Sequence, residues 1–228
     1  GNFGNILACY YAKRMGLPVR KLICASNCND VLTDFIRTGV YDRNRPFHTT
    51  MSPSMDILIS SNLERMLFEL SGRDDKLVCE YMSQLAEYGS YRVDSSIRTK
   101  LKREFNAGYC DDQQARDMIA KMWNEQNYLI DPHTAVAFHV LEEYRKETGD
   151  DTVTIAVSTA SPFKFCDSVL DALGVKEHRA GLEILDQLTE VTGVPTPAPL
   201  ARLKKRRRRF EGGVEKSAMK NCVLEFLK

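Results

Sequence analysis

The chain has 228 residues, enough for one large domain or two small ones with a substantial core. Hydrophobic residues make up 43% and charged residues 28%, which excludes global disorder, and no run of about 18 apolar residues offers a membrane span. The net charge of +1 hides an asymmetry, because residues 202–209 hold seven of the 32 basic side chains and leave the remainder at −6.

Gly1-Asn2-Phe3-Gly4-Asn5 is a turn-forming run, and the apolar spacing after it predicts a helix over 6–15 that Gly16 and Pro18 stop. Residues 22–25 read as a buried strand. Asn29 or Asp30 then caps a helix to Thr38, ended by Gly39. This is half of a βαβ rhythm lacking its first strand. Residues 39–53 read as loop. Helices follow at 61–71, 74–88, 95–107, 111–126 and 134–147, with start signals at Asp111 and Asp131 and stops at Gly72, Gly89, Gly108 and Gly149. Residues 153–157 are the clearest strand in the sequence, β-branched and apolar. Helices at 162–173 and 182–190, a Pro-rich loop at 194–199, the basic run, Gly212-Gly213 and a helix at 215–227 complete the chain. Alternating strands and helices predict an α/β fold, a three-layer domain with a mostly parallel sheet flanked by helices.

Seven scattered cysteines (9, 24, 28, 79, 110, 166 and 222) lack the density of a secreted disulfide scaffold and point to a reducing cytoplasm. They offer no metal set either. Cys24 and Cys28 have no second pair, and His133 and His139 fall on different helix faces. The basic run has no interleaved aromatics, so nucleic-acid binding is disfavoured, although a polyanion-binding module remains an alternative reading.

Two features carry chemistry. A Gly-rich turn opening a helix presents unpaired N–H groups and the positive end of the helix dipole, an arrangement suited to phosphate but equally to a plain helix start. Ser158-Thr159-Ala160-Ser161 follows the strongest strand, where α/β proteins bind ligands, and Asp131-Pro132-His133-Thr134 opens a helix.

The ordered set Gly1–Asn5, Gly16–Val19, Ala25–Asp30, Ser52–Asp56, Asp131–Ala135 and Ser158–Ala160 resembles the threonine synthases, pyridoxal-phosphate enzymes of the tryptophan-synthase-β fold type. A sibling of that fold type, such as a serine/threonine dehydratase, is the enzymatic alternative. The resemblance implies one part of a two-domain enzyme that converts O-phosphohomoserine and water to threonine and phosphate. It implies that Gly1, Asn2, Phe3, Gly4 and Asn5 cradle the cofactor phosphate, and that Thr159 meets its ring nitrogen. His133 lies near the cleft, and Lys164 faces an anionic substrate group. Ser161 stands where the family usually has histidine. The family's Schiff-base lysine belongs to an amino-terminal half that does not precede Gly1. The expectation is therefore an inactive carboxyl-terminal portion, able to self-associate, with residues 1–201 forming the cofactor-binding part. Residues 202–228, the basic segment and last helix, are expected to pack on the same domain.

Overall fold

The computed structural model describes residues 1–207 and 212–227. Its centre is a parallel pair of strands. β1 (Leu22–Ser26) pairs with β4 (Phe105–Tyr109) in the register Leu22↔Phe105 to Ser26↔Tyr109. Side chains alternate across a strand. Leu22, Cys24, Phe105 and Ala107 therefore enter one core, while Ile23 and Ala25 pack on another. Helix α2 (Val31–Thr38) covers the first face, and α7 (Pro132–Thr148) covers the second. The expected three layers are present, around a sheet smaller than the sequence suggests.

The first core also takes α1 (Gly4–Arg14), α3 (Leu63–Ser71), α4 (Asp75–Tyr88) and α5 (Ser95–Glu104). A short antiparallel pair, β2 (Val40–Asp42) and β3 (Ser90–Arg92), lies beside them. Tyr41 and Tyr91 face each other in its register and stack with centroids 5.3 Å apart, and Phe35 of α2 meets both rings edge-on. The second core joins α7 to α6 (Asp112–Gln126), α8 (Cys166–Ala172) and α9 (Ile184–Thr192). Two short helices follow, α10 (Ala198–Ala201) and α11 (Met219–Phe226).

Helix starts and stops follow local chemistry. Asp111 and Gln114 form a reciprocal capping box at α6. Gly39, Gly72, Gly89 and Gly149 each take the left-handed conformation that ends a helix. Asp30 holds the N-cap position of α2 without a side-chain cap bond, and its carboxylate binds Arg45 Nη1 at 2.7 Å instead.

Four expectations fail for tertiary reasons, the first being that residues 39–53 are all loop, since Val40–Asp42 pair with β3. Residues 153–157 form no strand, and Val153 and Ile155 are 93% and 84% exposed. β-propensity measures fit to a half-buried, hydrogen-bonded surface, and among the described residues this segment joins neither strand pair. The helix expected to run to 107 ends at Glu104, where the chain turns into β4. Gly108 is consequently a strand residue and no helix stop. Phe-Asn-Ala-Gly-Tyr has no β-branched residue; the ladder to β1 and the close approach of α7 make it a strand. A Cβ on Gly108 would stand 2.9 Å from Val140 Cγ1. Gly108→Ala should therefore cost about 1–3 kcal/mol by overpacking, with Val140→Ala returning part of that loss in the double variant. Urea denaturation of both singles and the double reads the coupling, and strict additivity would refute the close-approach argument.

Residues Arg202–Lys205 of the basic run form a 3-10 turn, where Lys204 pairs with Asp186; Arg208 and Arg209 lie outside the described residues. Helix α11 forms but buries none of its side chains. No helix among the described residues is long and apolar enough to cross a membrane.

Candidate functional site

The carboxyl end of β1 closes with Cys110 N–H donating to Ser26 O, and the chain then enters a buried polar hub. Asn27 is 1% exposed. Its Oδ1 accepts the Asn29 N–H at 3.0 Å, an Asx-type turn, so its Nδ2 points away toward 50–56. There Nδ2 donates to Asp56 Oδ1 at 2.7 Å, Thr50 Oγ1 at 2.8 Å, Ser52 Oγ at 3.0 Å and Ser52 O at 3.4 Å, two protons shared among four acceptors. Asn29 Nδ2 donates to His48 O at 2.8 Å and to Asp56 Oδ1 at 3.2 Å. Asp56 gathers the Thr50 N–H at 2.9 Å and the Thr50 hydroxyl at 2.7 Å as well. The hub clamps the 47–56 loop over the end of the sheet.

A second line reaches the same loop from α7. Asp131, fully buried at its N-cap, accepts the His133 N–H at 2.9 Å and His133 Nδ1–H at 2.8 Å on Oδ2. Its Oδ1 accepts the Thr134 hydroxyl. Burial pushes the Asp131 carboxyl up, but the hydrogen bonds from His133 and Thr134 outweigh it and hold the group below the usual range. On the far side of the imidazole, Ser54 N–H donates to Nε2 at 3.3 Å. A ring that donates at Nδ1 and accepts at Nε2 is the neutral Nδ1–H tautomer. Phe165 packs against this imidazole with ring centroids 4.7 Å apart and planes tilted by 55°, and Thr134 Oγ1 lies 3.0 Å from Ser158 Oγ.

The turn that His133 holds is the one on which the amino-terminal loop rests. A Cβ on Gly1 would sit 3.1 Å from both Ser54 O and Met55 Cα, a tight approach that the 53–55 turn would have to yield to by a few tenths of an ångström. Asn2 Oδ1 accepts the Ser61 N–H and hydroxyl at 2.9 and 3.0 Å. Phe3 is buried against Phe105 in the left-handed conformation (φ 60°), an uncommon state for a bulky residue that the surrounding core enforces. The first intrahelical donor of α1 is Leu7, bonded to Phe3 O. The N–H groups of Gly4, Asn5 and Ile6 precede it and have no carbonyl of the helix to bind, and Gly4 and Asn5 are exposed.

The sequence-selected residues therefore divide. Gly1–Asn5 and His133 are joined through the 53–55 turn, and Ser158, the neighbour of Thr159, reaches the same helix start through Thr134. Thr159 itself is exposed. Ser161 Oγ accepts the Phe163 N–H at 3.3 Å, a cap on the turn Pro162–Lys164, and Lys164 is exposed on that turn. The structure adds Asn27, Asn29, Asp56 and Asp131, which carry most of the hydrogen bonds. All four sit inside motifs that the sequence had marked, but nothing in their spacing said that they would meet. Lys13 and Lys21 lie elsewhere. Lys13 Nζ binds Glu104 Oε2 and Arg20 O, and Lys21 Nζ binds the carbonyls of Lys102 and Arg103, all near the amino ends of β1 and β4.

A family profile described as "Threonine synthase, C-terminal" matches residues 134–221. Among curated proteins, "Threonine synthase-like 1" of Macaca fascicularis is 45% identical over 178 residues, covering 78% of this chain and 24% of that protein. Among solved structures, yeast threonine synthase superposes with TM-score 0.83 at 34% identity, covering all of this chain and 46% of that one. The PLP-bound threonine synthase from Brucella melitensis gives 0.74 at 35% identity over 92% of this chain and 41% of that one. The chain spans between about a quarter and just over a third of the curated relatives that it matches.

Proposed function

This chain belongs to the threonine synthase family, matching the carboxyl-terminal part of its members, and from that premise we propose that it forms one wall of a pyridoxal-phosphate site that converts O-phosphohomoserine and water to threonine and phosphate. The observation that carries this reading is the joining of the Gly1–Asn5 turn to the Asp131–His133 line through Ser54.

The residues present suit the cofactor's phosphate. The N–H groups at positions 4–6 open the positive end of an 11-residue helix, the turn before them is exposed at Gly4 and Asn5, and the Phe3 conformation is held by the core. Gly1–Asn5 would hold the phosphate and the Thr159 hydroxyl the ring nitrogen. When bound, the cofactor supplies an electron sink for carbanion formation. The chain's own groups do quieter work. Asp131 fixes the orientation of His133 through Nδ1–H, His133 Nε2 accepts the Ser54 N–H, and the turn so fixed supports the phosphate loop at Gly1.

On this reading the Schiff-base lysine and the facing half of the site come from outside these residues, since Lys13 and Lys21 are committed near the amino ends of the strands. Residues 1–201 form the cofactor-binding part and 202–228 an appended basic segment and helix. Pyridoxal phosphate titrated into the purified chain, followed by borohydride reduction and peptide mapping, tests the assignment. The expected result is binding that inorganic phosphate displaces, with no stoichiometric lysine adduct. A single modified lysine at one equivalent would overturn it.

A further inference from the structure

A cleft of about 400 Å³ opens where the carboxyl end of α2, the end of β3 and one face of α5 meet, and its chemistry is one-sided. Arg92, Arg98 and Lys102 supply three cations to its lining, Thr38, Ser95 and Thr99 supply three hydroxyls, and no acidic residue lines it. Positions 95, 98, 99 and 102 fall at the i, i+3, i+4, i+7 spacing of a single helix face. The opposite face of α5, Ile97 and Leu101, is fully buried, which fixes the direction of the basic face.

The pairing pattern within α5 separates this cluster from ordinary surface charge. Four of its ten residues are basic. The two outside the cleft are engaged: Lys100 Nζ donates to Leu70 O at 2.6 Å, and Arg103 Nε to Glu104 Oε1 at 2.9 Å. Among the described residues, the side chains of Arg92, Arg98 and Lys102 form no hydrogen bond or ion pair, in a protein with 31 acidic residues. Arg98 and Lys102 are moreover a like-charged i, i+4 pair, which costs the helix a few tenths of a kcal/mol when nothing lies between them. Arg98 is exposed, with its stem beside Gly39. Its Cδ lies within ordinary packing distance, 3.4 Å, of where a Cβ on Gly39 would stand.

We propose that this cleft is a binding site for a phosphorylated small molecule. Unneutralised cations in a concavity concentrate the field that draws in a multivalent anion. Guanidinium groups match phosphoryl oxygens bidentately, and hydroxyls complete the shell. The volume lies in the range of small-molecule pockets. The cleft is distinct from the Gly1–Asn5 turn. α2 starts beside the Asn27–Asn29 hub and ends at Thr38 in the cleft, about 10 Å further along its axis at 1.5 Å per residue.

Inorganic pyrophosphate is the probe, titrated calorimetrically into the full chain, with succinate as a dicarboxylate control. Arg98→Gln/Lys102→Gln keeps good helix formers on a solvent face and removes the like-charge pair, and Arg92→Gln probes the cleft from β3. Pyrophosphate should bind more tightly than succinate and weaken with salt. Its affinity should fall about tenfold or more in the double variant and in a lesser degree in Arg92→Gln. Pyridoxal phosphate absorbance, read in parallel, should be unchanged in both variants, which separates this site from the phosphate turn. No pyrophosphate binding by the unsubstituted chain, equal affinity for succinate, or undiminished affinity in the double variant would each overturn the proposal.

Discussion

Asp131→Ala should cost the folded chain about 3–5 kcal/mol, the loss expected when a buried group with several charge-assisted hydrogen bonds is removed and its partners are stranded. Three donors lose their acceptor at once: the His133 N–H, His133 Nδ1–H and the Thr134 hydroxyl. None reaches water easily, since Asp131, His133 and Thr134 are all buried. The helix start loses its cap as well. Since whole domains of this kind are stable by only about 5–15 kcal/mol, one substitution removes a large share. Asp131→Asn keeps one acceptor oxygen for the His133 N–H and Nδ1–H but turns an amide NH2 toward the Thr134 hydroxyl, and it should cost less than the alanine variant. The pH dependence has a definite sign. Hydrogen bonds hold the folded Asp131 carboxyl below its unfolded value of about 3.9, so the unfolded state takes up the proton first. The stabilisation is complete above that unfolded value and is lost as pH falls through the lower folded value. Urea unfolding at pH 7 and at pH 3 should show a smaller acid-induced loss in Asp131→Asn than in the unsubstituted chain. An equal loss in both would place the acid sensitivity on other carboxylates.

The helices were legible in the sequence wherever capping chemistry and apolar period agreed, as at Asp111, Asp131, Gly72 and Gly149. The strands were less so. Residues 105–109 look like the tail of a helix until β1 offers a ladder and Gly108 lets α7 approach, whereas 153–157 look like a strand and join no ladder among the described residues. Strand identity belongs to the pair, not to the segment. The site was legible in a similar, partial way. Motif order picked out the Gly1–Asn5 turn and the Asp131–Thr134 helix start. That both rest on the 53–55 turn depends on contacts between positions as far apart as 54 and 133, which no local pattern encodes. Ser161 shows the converse: a residue singled out by motif position whose hydroxyl caps a short turn.

Asp56→Ala should be nearly as damaging as the loss of Asp131, at about 2–4 kcal/mol, through a different element. Its carboxylate accepts from Asn27 Nδ2, Asn29 Nδ2, the Thr50 hydroxyl and the Thr50 N–H, and among the described residues no cation pairs with it. Its charge is balanced by dipoles alone, which work only while the loop is folded over β1. Asn27→Ala removes the central donor of the same network and exposes the same set of partners, so the two substitutions should not add. The double variant should be less destabilised than the sum of the singles by about 1–2 kcal/mol. The effect should also be directional. The turn Pro53–Met55 is held from one side by Asp56 and Asn27 and from the other by His133, and Gly1 leans on it. With Asp56 gone, amide exchange should speed at Thr50, Ser54 and Met55, and should stay slow in the β1–β4 ladder. Under the proposed function, pyridoxal phosphate affinity should fall in Asp56→Ala although residue 56 need not touch the cofactor, because the support under the phosphate loop has softened. Uniform acceleration of exchange across the ladder would instead mean that the hub is part of the global core, and that the 53–55 turn is not the separately held platform described above.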